Sequence, residues 1–550
     1  MKKYVIGIDY GTLSARGILI DSHSGQILSE VTFEYPHGVM SEHLPTGERL
    51  PPSYALQHPE DYLKALEFIT RRLVTESGTS PESVVGIGID FTSCTLLPID
   101  EDGTPLCMRE EYLRNKHAYV KLWKHHSAEK YASEITALAR ERGESFLDAY
   151  GGSVSCEWAL PKILEILREA PEVYEAADRF IEAADWLSLV LTGKDSRSPA
   201  FAGYKWLWNS DSGYPCNDFL RAIDARLDGI VGTKIPNKVL SSGESAGTIS
   251  HAGEALTGLS AGTAVASPMI DAHAAMPALG ITDSGSLMMI IGTSTCHILN
   301  SHVGVNVPGI CGYVRDGVIP GIYTYEAGQA GVGDIFDWFT RSCVPKSYID
   351  EAREKGIGIH ALLREKAEVL LPGESGLLAL DWLSGNRSIL VDYDLRGMIL
   401  GMDLNTRPEE IYRALIEATA FGARVIVEQY EKSGIEIKRI VASGGIANKD
   451  SMMMQIYSDV LKREIEVSSY SQSGALGSAI YASVAAGEYP SLKAATESLS
   501  MKAGRIYTPK EESSAIYDEL YSEYKRLHDY FGKENAVMKR LGEIKRTFVG

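Results

Sequence analysis

Asp9-Tyr10-Gly11-Thr12-Leu13-Ser14-Ala15-Arg16 places a carboxylate at the end of an apolar run and follows it at once with a glycine turn bearing hydroxyls. Such a turn can hold a metal through water and cup phosphate oxygens with backbone N–H groups. Arg16 could neutralise phosphate charge. An ordinary hairpin turn would have the same composition. It is not a P-loop, because a strand follows rather than a helix, and the pattern GxxxxGK with Ser or Thr after it occurs nowhere. Gly292-Thr293-Ser294-Thr295 repeats the device in the other half of the chain, and two such turns, one per lobe, would clamp a polyphosphate. In Ser443-Gly444-Gly445-Ile446-Ala447-Asn448 the paired glycines stand where a strand gives way to a helix. They allow close approach of a flat ligand such as adenine, although a plain strand-to-helix turn looks alike. Asp271-Ala272-His273-Ala274-Ala275 ends an apolar segment on an acid among small residues, which leaves room for a substrate hydroxyl beside a general base. An Asp N-cap ahead of a small-residue helix is the plainer alternative.

The elements that must position these residues alternate strand and helix. YVIGID, ARGILID and QILSEVTFEY are rich in β-branched residues and separated by turn signals, which predicts an antiparallel meander. Tyr62, Leu66, Ile69 and Leu73 have helical spacing, and VVGIGID, running to Phe91, is a further strand. SLMMIIGTSTCHILN repeats the opening strand–turn–strand, which suggests an internal duplication; GIYTYE, GVGDIFDWF and KRIVASGG continue the alternation. Two α/β lobes follow, with the seam near TAVASPMIDAHAA. From Glu511 the chain carries Ile516, Leu520, Tyr524 and Leu527 on one face, an amphipathic helix expected to pack on the chain's own surface.

A length of 550 residues suits two large domains, and 44% hydrophobic with 23% charged residues and no low-complexity tract predicts order throughout. A net charge of -19 argues against nucleic acid and anionic membrane as partners. Seven cysteines without CxxC spacing fit a reducing, cytoplasmic setting, and no apolar run approaches the roughly 18 residues of a membrane span.

In this order the motifs resemble the FGGY carbohydrate kinases of the actin-like ATPase superfamily, and the resemblance covers essentially the whole chain. It implies an α/β fold of two actin-like (ribonuclease H-like) lobes with an interdomain cleft: residues 1–270 as an N-terminal domain holding the sugar and the first phosphate loop, and 271–550 as a C-terminal nucleotide-binding domain. It further implies ATP bound by Gly11, Thr12, Ser14, Arg16, Gly292, Thr293, Gly444, Gly445 and Asn448, Mg2+ held through Asp9, and Asp271 as catalytic base. QSGALGSAIYASVAAG is similar to the family helix that closes the nucleotide domain, and its small residues also suit tight packing.

Segments similar to GIGIDFTSCT, LWKHH, AGYKWLW, IGTSTCHI and YEAGQAGVGD mark the members of the family that act on L-ribulose, and this chain has all five. The Gln-Met-His and Asn-Gln-Arg types of the xylulose- and glycerol-directed members are absent at Phe91-Thr92-Ser93-Cys94-Thr95. Two family patterns are not met: Trp123-Lys124-His125 replaces the usual Trp-Asn-Asp, and Lys-x-Trp fails near Pro161-Lys162-Ile163-Leu164. The resemblance assigns Ser93, Lys205, Asp271 and Glu326 to the sugar, whereas on residue type alone Lys205 reads as a surface lysine and Glu326 as a solvated strand end. The implied activity is ATP-dependent phosphorylation of L-ribulose in arabinose catabolism, with self-association left open. The alternatives are the same chemistry on another ketopentose, a pentitol or glycerol, or an actin-like nucleotide switch.

Overall fold

β-Branched runs interrupted by Gly and Ser build β1 (Tyr4–Tyr10), β2 (Ser14–Asp21) and β3 (Ile27–Glu34), an antiparallel meander in which Asp9 faces Arg16 across the β1–β2 pair. The helical spacing gives α1 (Pro59–Ser77), with Tyr62, Leu66, Ile69 and Leu73 fully buried. β4 (Val84–Phe91) runs parallel to β1 and sets Asp90 beside Asp9. After α2 (Pro199–Lys205) come β5 (Ala264–Ala266) and β6 (Met269–Ile270), both parallel to β4, and then α3 (Asp271–Ala278). The sheet order is β3-β2-β1-β4-β5, with Ser245–Thr248 at the edge.

β7 (Ser286–Ile291) and β8 (Thr295–Ser301) repeat the antiparallel pair. β9 (Tyr323–Gln329), α4 (Gly333–Ser342), α5 (Pro408–Lys432), β10 (Arg439–Ser443), α6 (Gly445–Lys449) and β11 (Ile465–Val467) follow. The second sheet runs β9-β8-β7-β10-β11, with β10 parallel to β7 and β11 parallel to β10. Both sheets thus have the same order and strand sense over their central members, as an internal duplication requires.

This computed structural model describes residues 2–468, 470, 472–501 and 504–549. They form two compact units that are not linear halves: unit 1 is Met1–Thr282, Tyr313–Thr324 and Gln472–Met501, and unit 2 is Asp283–Gly312, Tyr325–Ser471 and Lys502–Gly550. The break expected near Asp271 therefore falls after Thr282, and α3 belongs to unit 1. The reason is the returning helix Ser473–Ala485, which lies flush on β1, β4 and α3. A methyl group at Gly88 would stand 2.0 Å from the Ser478 carbonyl oxygen, and one at Gly477 would stand 1.6 Å from that of Ala274. Its small residues are packing residues. Gly477→Ala is expected to cost ~1–3 kcal/mol by overpacking, read as a lower Tm of the full chain; an unchanged Tm would mean that the helices are not so closely seated.

Unit 1 also contains a four-stranded sheet that includes Leu96–Ile99 and Arg179–Glu182, over a second core of residues such as Tyr54, Ile163, Phe180 and Trp206. Here the first histidine of LWKHH is His125, whose Nε2 lies 3.0 Å from Glu165 Oε2, with Lys121 Nζ 2.8 Å from the same oxygen. Burial and the Lys121 charge drive His125 down to about 3, so the imidazole is a neutral core group.

The helix Glu511–Asp529 packs on unit 2, and its buried face is Ser514, Tyr517, Tyr521, Tyr524 and His528, which shares only Tyr524 with the expected stripe of Ile516, Leu520, Tyr524 and Leu527. Ile516 is exposed. Tyrosines take the inner face because buried polar partners await them: Tyr517 Oη donates to Glu417 at 2.9 Å and Tyr524 Oη to Asp381 at 3.0 Å. All seven cysteines are free thiols, and no helix among the described residues is long and apolar enough to cross a membrane.

Candidate active site

In unit 1, Asp9, Asp90 and Asp271 all come from the carboxyl ends of neighbouring parallel strands, the place where α/β sheets gather ligands. Asp9 and Asp90 are register partners, and Met269 in turn pairs with Asp90, so Asp271 begins α3 one residue beyond the end of this register. Behind the two carboxylates Tyr10 and Phe91 stack at 4.9 Å and 7°. Gly474 leaves space beside both acids: a methyl group there would be 3.2 Å from Asp9 Cγ and 3.2 Å from Asp90 Oδ1. Ser478 Oγ donates to Asp90 Oδ2 at 2.6 Å, while Oδ1 has no hydrogen-bond partner among the described residues. Burial, and then the charge of Asp9, push the Asp90 carboxyl well above the usual carboxylate range. Asp9 is raised too, by burial, with a hydrogen bond from the Asp90 carboxyl and the Arg16 charge opposing.

Asp271 occupies the first position inside α3, not the cap, which is Ile270, so the capping alternative does not describe it. Its Oδ1 accepts the Ala272 N–H at 2.7 Å. The glycine turn closes through Gly11 N–H to Ser14 O at 3.0 Å, and it is braced from outside: Gln57 Nε2 donates to Thr12 O at 2.7 Å and Trp123 Nε1 to Thr12 Oγ1 at 3.2 Å. Ser93 lies two residues beyond β4, half-buried, and Lys205 ends α2, which packs on β6. Tyr204 reaches across to His273 of α3, ring centroids 4.5 Å apart, so the helix ends bearing Lys205 and Asp271 are mutually fixed.

In unit 2 the turn at Gly292 closes in the same manner, Gly292 N–H to Ser294 O at 2.9 Å. The start of α4 seals it: Gly333 N–H donates to Gly292 O at 3.0 Å and Val332 N–H to Thr293 O at 2.8 Å. Gly444 adopts φ 101°, and a methyl group on it would sit 2.4 Å from Ile291 O, so only glycine lets β10 turn so close to β7. A methyl group at Gly445 would meet nothing within 4 Å, and Asn448 Nδ2 bonds Gly444 O at 3.2 Å. IGTST, AGVGD and SGGIAN thus converge.

Lys205 and Glu326 lack the solvated settings that residue type alone suggests, being 8% and 7% exposed. Glu326, on β9, receives Arg387 Nη2 on Oε1 at 2.8 Å, and Arg387 Nε also lies 3.3 Å from Cys311 Sγ. Sequence reading missed Arg387, which follows a glycine loop with no periodic pattern, and Asp90. The signal for Asp90 was available: VVGIGID, like YVIGID, ends a buried strand on an acid.

Family models for the FGGY family of carbohydrate kinases match the chain at residues 4–278 for the N-terminal domain and 287–486 for the C-terminal domain. The chain is 49% identical over 538 residues to the ribulokinase of Bacillus licheniformis, covering 97% of this chain and 98% of that one. It is 45% identical over 541 residues to that of Mycolicibacterium smegmatis, covering 98% and 96%. The fold is similar to that of the xylulose kinase from Rhodospirillum rubrum, with TM-score 0.80 and 24% identity over 96% of this chain and 98% of that one. For Plasmodium falciparum glycerol kinase with ADP the TM-score is 0.76 at 18% identity, covering 96% and 98%. With its two motif-bearing sheets of common plan and these full-length matches, the chain belongs to the FGGY family of carbohydrate kinases.

Proposed function

We propose that this kinase transfers the γ-phosphoryl group of ATP to the terminal hydroxyl of L-ribulose, forming L-ribulose 5-phosphate for arabinose catabolism in the cytoplasm. Full-length likeness to ribulokinases carries the substrate assignment. Asp271 is the general base that takes the hydroxyl proton. Ser93, Lys205 and Glu326 hold the sugar, a lysine and carboxylates together satisfying several hydroxyls through charge-assisted bonds. To the nucleotide we assign Gly11, Thr12, Ser14 and Arg16 in unit 1, and Gly292, Thr293, Gly444, Gly445 and Asn448 in unit 2. Phosphoryl transfer depends chiefly on positioning and on N–H groups and cations aimed at the developing charge.

Among the described residues no three His, Cys, Asp or Glu side chains are grouped to bind a metal directly. That suits Mg2+, which is bound largely through water and substrate phosphates. The space at Gly474 beside Asp9 and the unpartnered Asp90 Oδ1 fits a hydrated cation. Asp9, with Asp90 beside it, would hold its waters, and the metal when bound neutralises phosphate charge.

ADP release that requires a ketose tests this reading; an actin-like nucleotide switch would hydrolyse ATP without sugar. Gly11→Val and Thr293→Val should each weaken ATP binding by about tenfold, the worth of one charge-assisted hydrogen bond, with sugar binding less affected. Unchanged ATP affinity in both, by calorimetric titration, would remove the two turns from the nucleotide site.

A further inference from the structure

We propose that Glu182 is a positioning residue of the sugar site, tying the loop that bears Ser93 to the helix end that bears Lys205. The inference rests on the assignment of those two residues to the sugar. Glu182 ends the strand Arg179–Glu182, belongs to no motif, and is fully buried. Its Oε2 accepts the Thr95 N–H at 2.8 Å, and its Oε1 accepts the Trp206 indole N–H at 2.8 Å. Thr95 stands two residues after Ser93, and Trp206 stands directly after Lys205. One carboxylate therefore bridges the two segments.

Both bonds sit beside strained backbone. Cys94, immediately before Thr95, has φ 60°, and Leu207, immediately after Trp206, has φ 61°. Side-chain-bearing residues rarely adopt this left-handed region, and they keep it only where surrounding contacts over-determine it. The surroundings here do so. Buried Lys162 donates Nζ to Cys94 O at 2.6 Å and to Leu122 O at 2.9 Å, and Thr95 Oγ1 donates to Thr92 O at 2.7 Å. Burial pushes the Glu182 carboxyl up, and the Trp206 bond and the Lys162 charge oppose that push. Buried charges of this kind add little stability over a well-packed apolar replacement. What a carboxylate supplies is two acceptors in one rigid plane, each oriented at a different segment.

The test uses the full chain and compares Glu182→Gln, Trp206→Phe, Ser93→Ala, Lys205→Ala and the Glu182→Gln/Lys205→Ala double variant, with kinetics for L-ribulose and for ATP and a thermal melt for each. Glu182→Gln keeps the volume but turns one acceptor into a donor facing an N–H. It should lower kcat/KM for L-ribulose about 10- to 100-fold, as ångström-scale misplacement does, while leaving KM for ATP within about twofold. Trp206→Phe, which removes only the indole donor, should move the same parameter in the same direction by less. The double variant should lose less than the product of the two single losses, because Glu182 and Lys205 act on one site and only the Ser93 share of the Glu182 effect remains once Lys205 is gone; a purely structural role would give losses that multiply. Multiplying losses, or normal sugar kinetics in Glu182→Gln, would overturn the inference and leave the sugar site standing. Should Glu182→Gln fail to fold, normal sugar kinetics in Trp206→Phe would overturn it. If Ser93→Ala and Lys205→Ala both leave the sugar parameters unchanged, the sugar-site assignment falls and the inference falls with it.

Discussion

Asp271→Asn is expected to lower turnover by about 10²- to 10⁴-fold, the range for losing a general base, while ATP binding and Tm stay close to those of the parent chain. The asparagine is the same size as the aspartate, and its carbonyl oxygen can still accept the Ala272 N–H that Oδ1 now accepts at 2.7 Å. The helix start is therefore preserved. Asp271 is not the cap of α3, so its removal takes away no capping bond. Its charge is also one of the influences that raise the Asp90 carboxyl, so loss of that charge relieves repulsion instead of adding it. What disappears is the proposed proton acceptor. Rapid-quench turnover with saturating ATP and ketose, alongside calorimetric ATP binding, separates the effects. Near-normal turnover would exclude Asp271 as the base. A collapse of ATP affinity would mean that the residue serves the nucleotide instead.

The features read correctly from sequence are those whose physical signal is local. The two glycine-hydroxyl turns, the meander and α1 each declare themselves within a few residues, by turn chemistry or by periodicity. The common sheet order followed from one repeated strand–turn–strand. Features that depend on contacts between distant segments were not legible. The return of Ser473–Ala485 to unit 1 depends on backbone approach at Gly88 and Gly477, and a glycine's sequence neighbours do not say what passes over it. The strands Leu96–Ile99 and Arg179–Glu182 are four residues each, too short for alternation to register. In the helix Glu511–Asp529 only Tyr524 of the expected face is fully buried, because Tyr517 and Tyr521, which that face leaves out, turn their rings inward, and Glu417 receives the Tyr517 hydroxyl. Asp90 and Glu182 are single charged residues that burial sets apart from solvated ones, and Arg387 is set apart by its bond to Glu326.

The kcat/KM for L-ribulose is expected to exceed those for D-xylulose and glycerol. The residues proposed to hold the sugar are polar groups withdrawn from water: Lys205 and Glu326 are 8% and 7% exposed. Glu326 is further fixed by Arg387 at 2.8 Å, and the Ser93 loop by Thr95 N–H on Glu182 at 2.8 Å. Groups so placed cannot swing out to find other partners. A sugar lacking the matching hydroxyl leaves them unpaired, and a buried unpaired donor or acceptor costs roughly 1–3 kcal/mol, more if charged. Size alone discriminates weakly, by about 10- to 200-fold per methylene, whereas a missing hydrogen-bonding group can reach about 10⁴ to 10⁵. Glycerol, which lacks the ketose carbonyl and two carbons, should suffer most. D-Xylulose, which differs in one hydroxyl configuration, should be poor by a smaller margin. Lys205→Ala or Glu326→Ala should cost kcat/KM for the ketose while leaving KM for ATP within a few fold. The decisive measurement is a coupled ADP assay with the three acceptors side by side, together with a blank that contains none. If D-xylulose or glycerol outpaces L-ribulose, the assignment of the sugar fails and the chemistry of the family remains; if the acceptor-free blank matches the others, the transfer reaction itself is wrong.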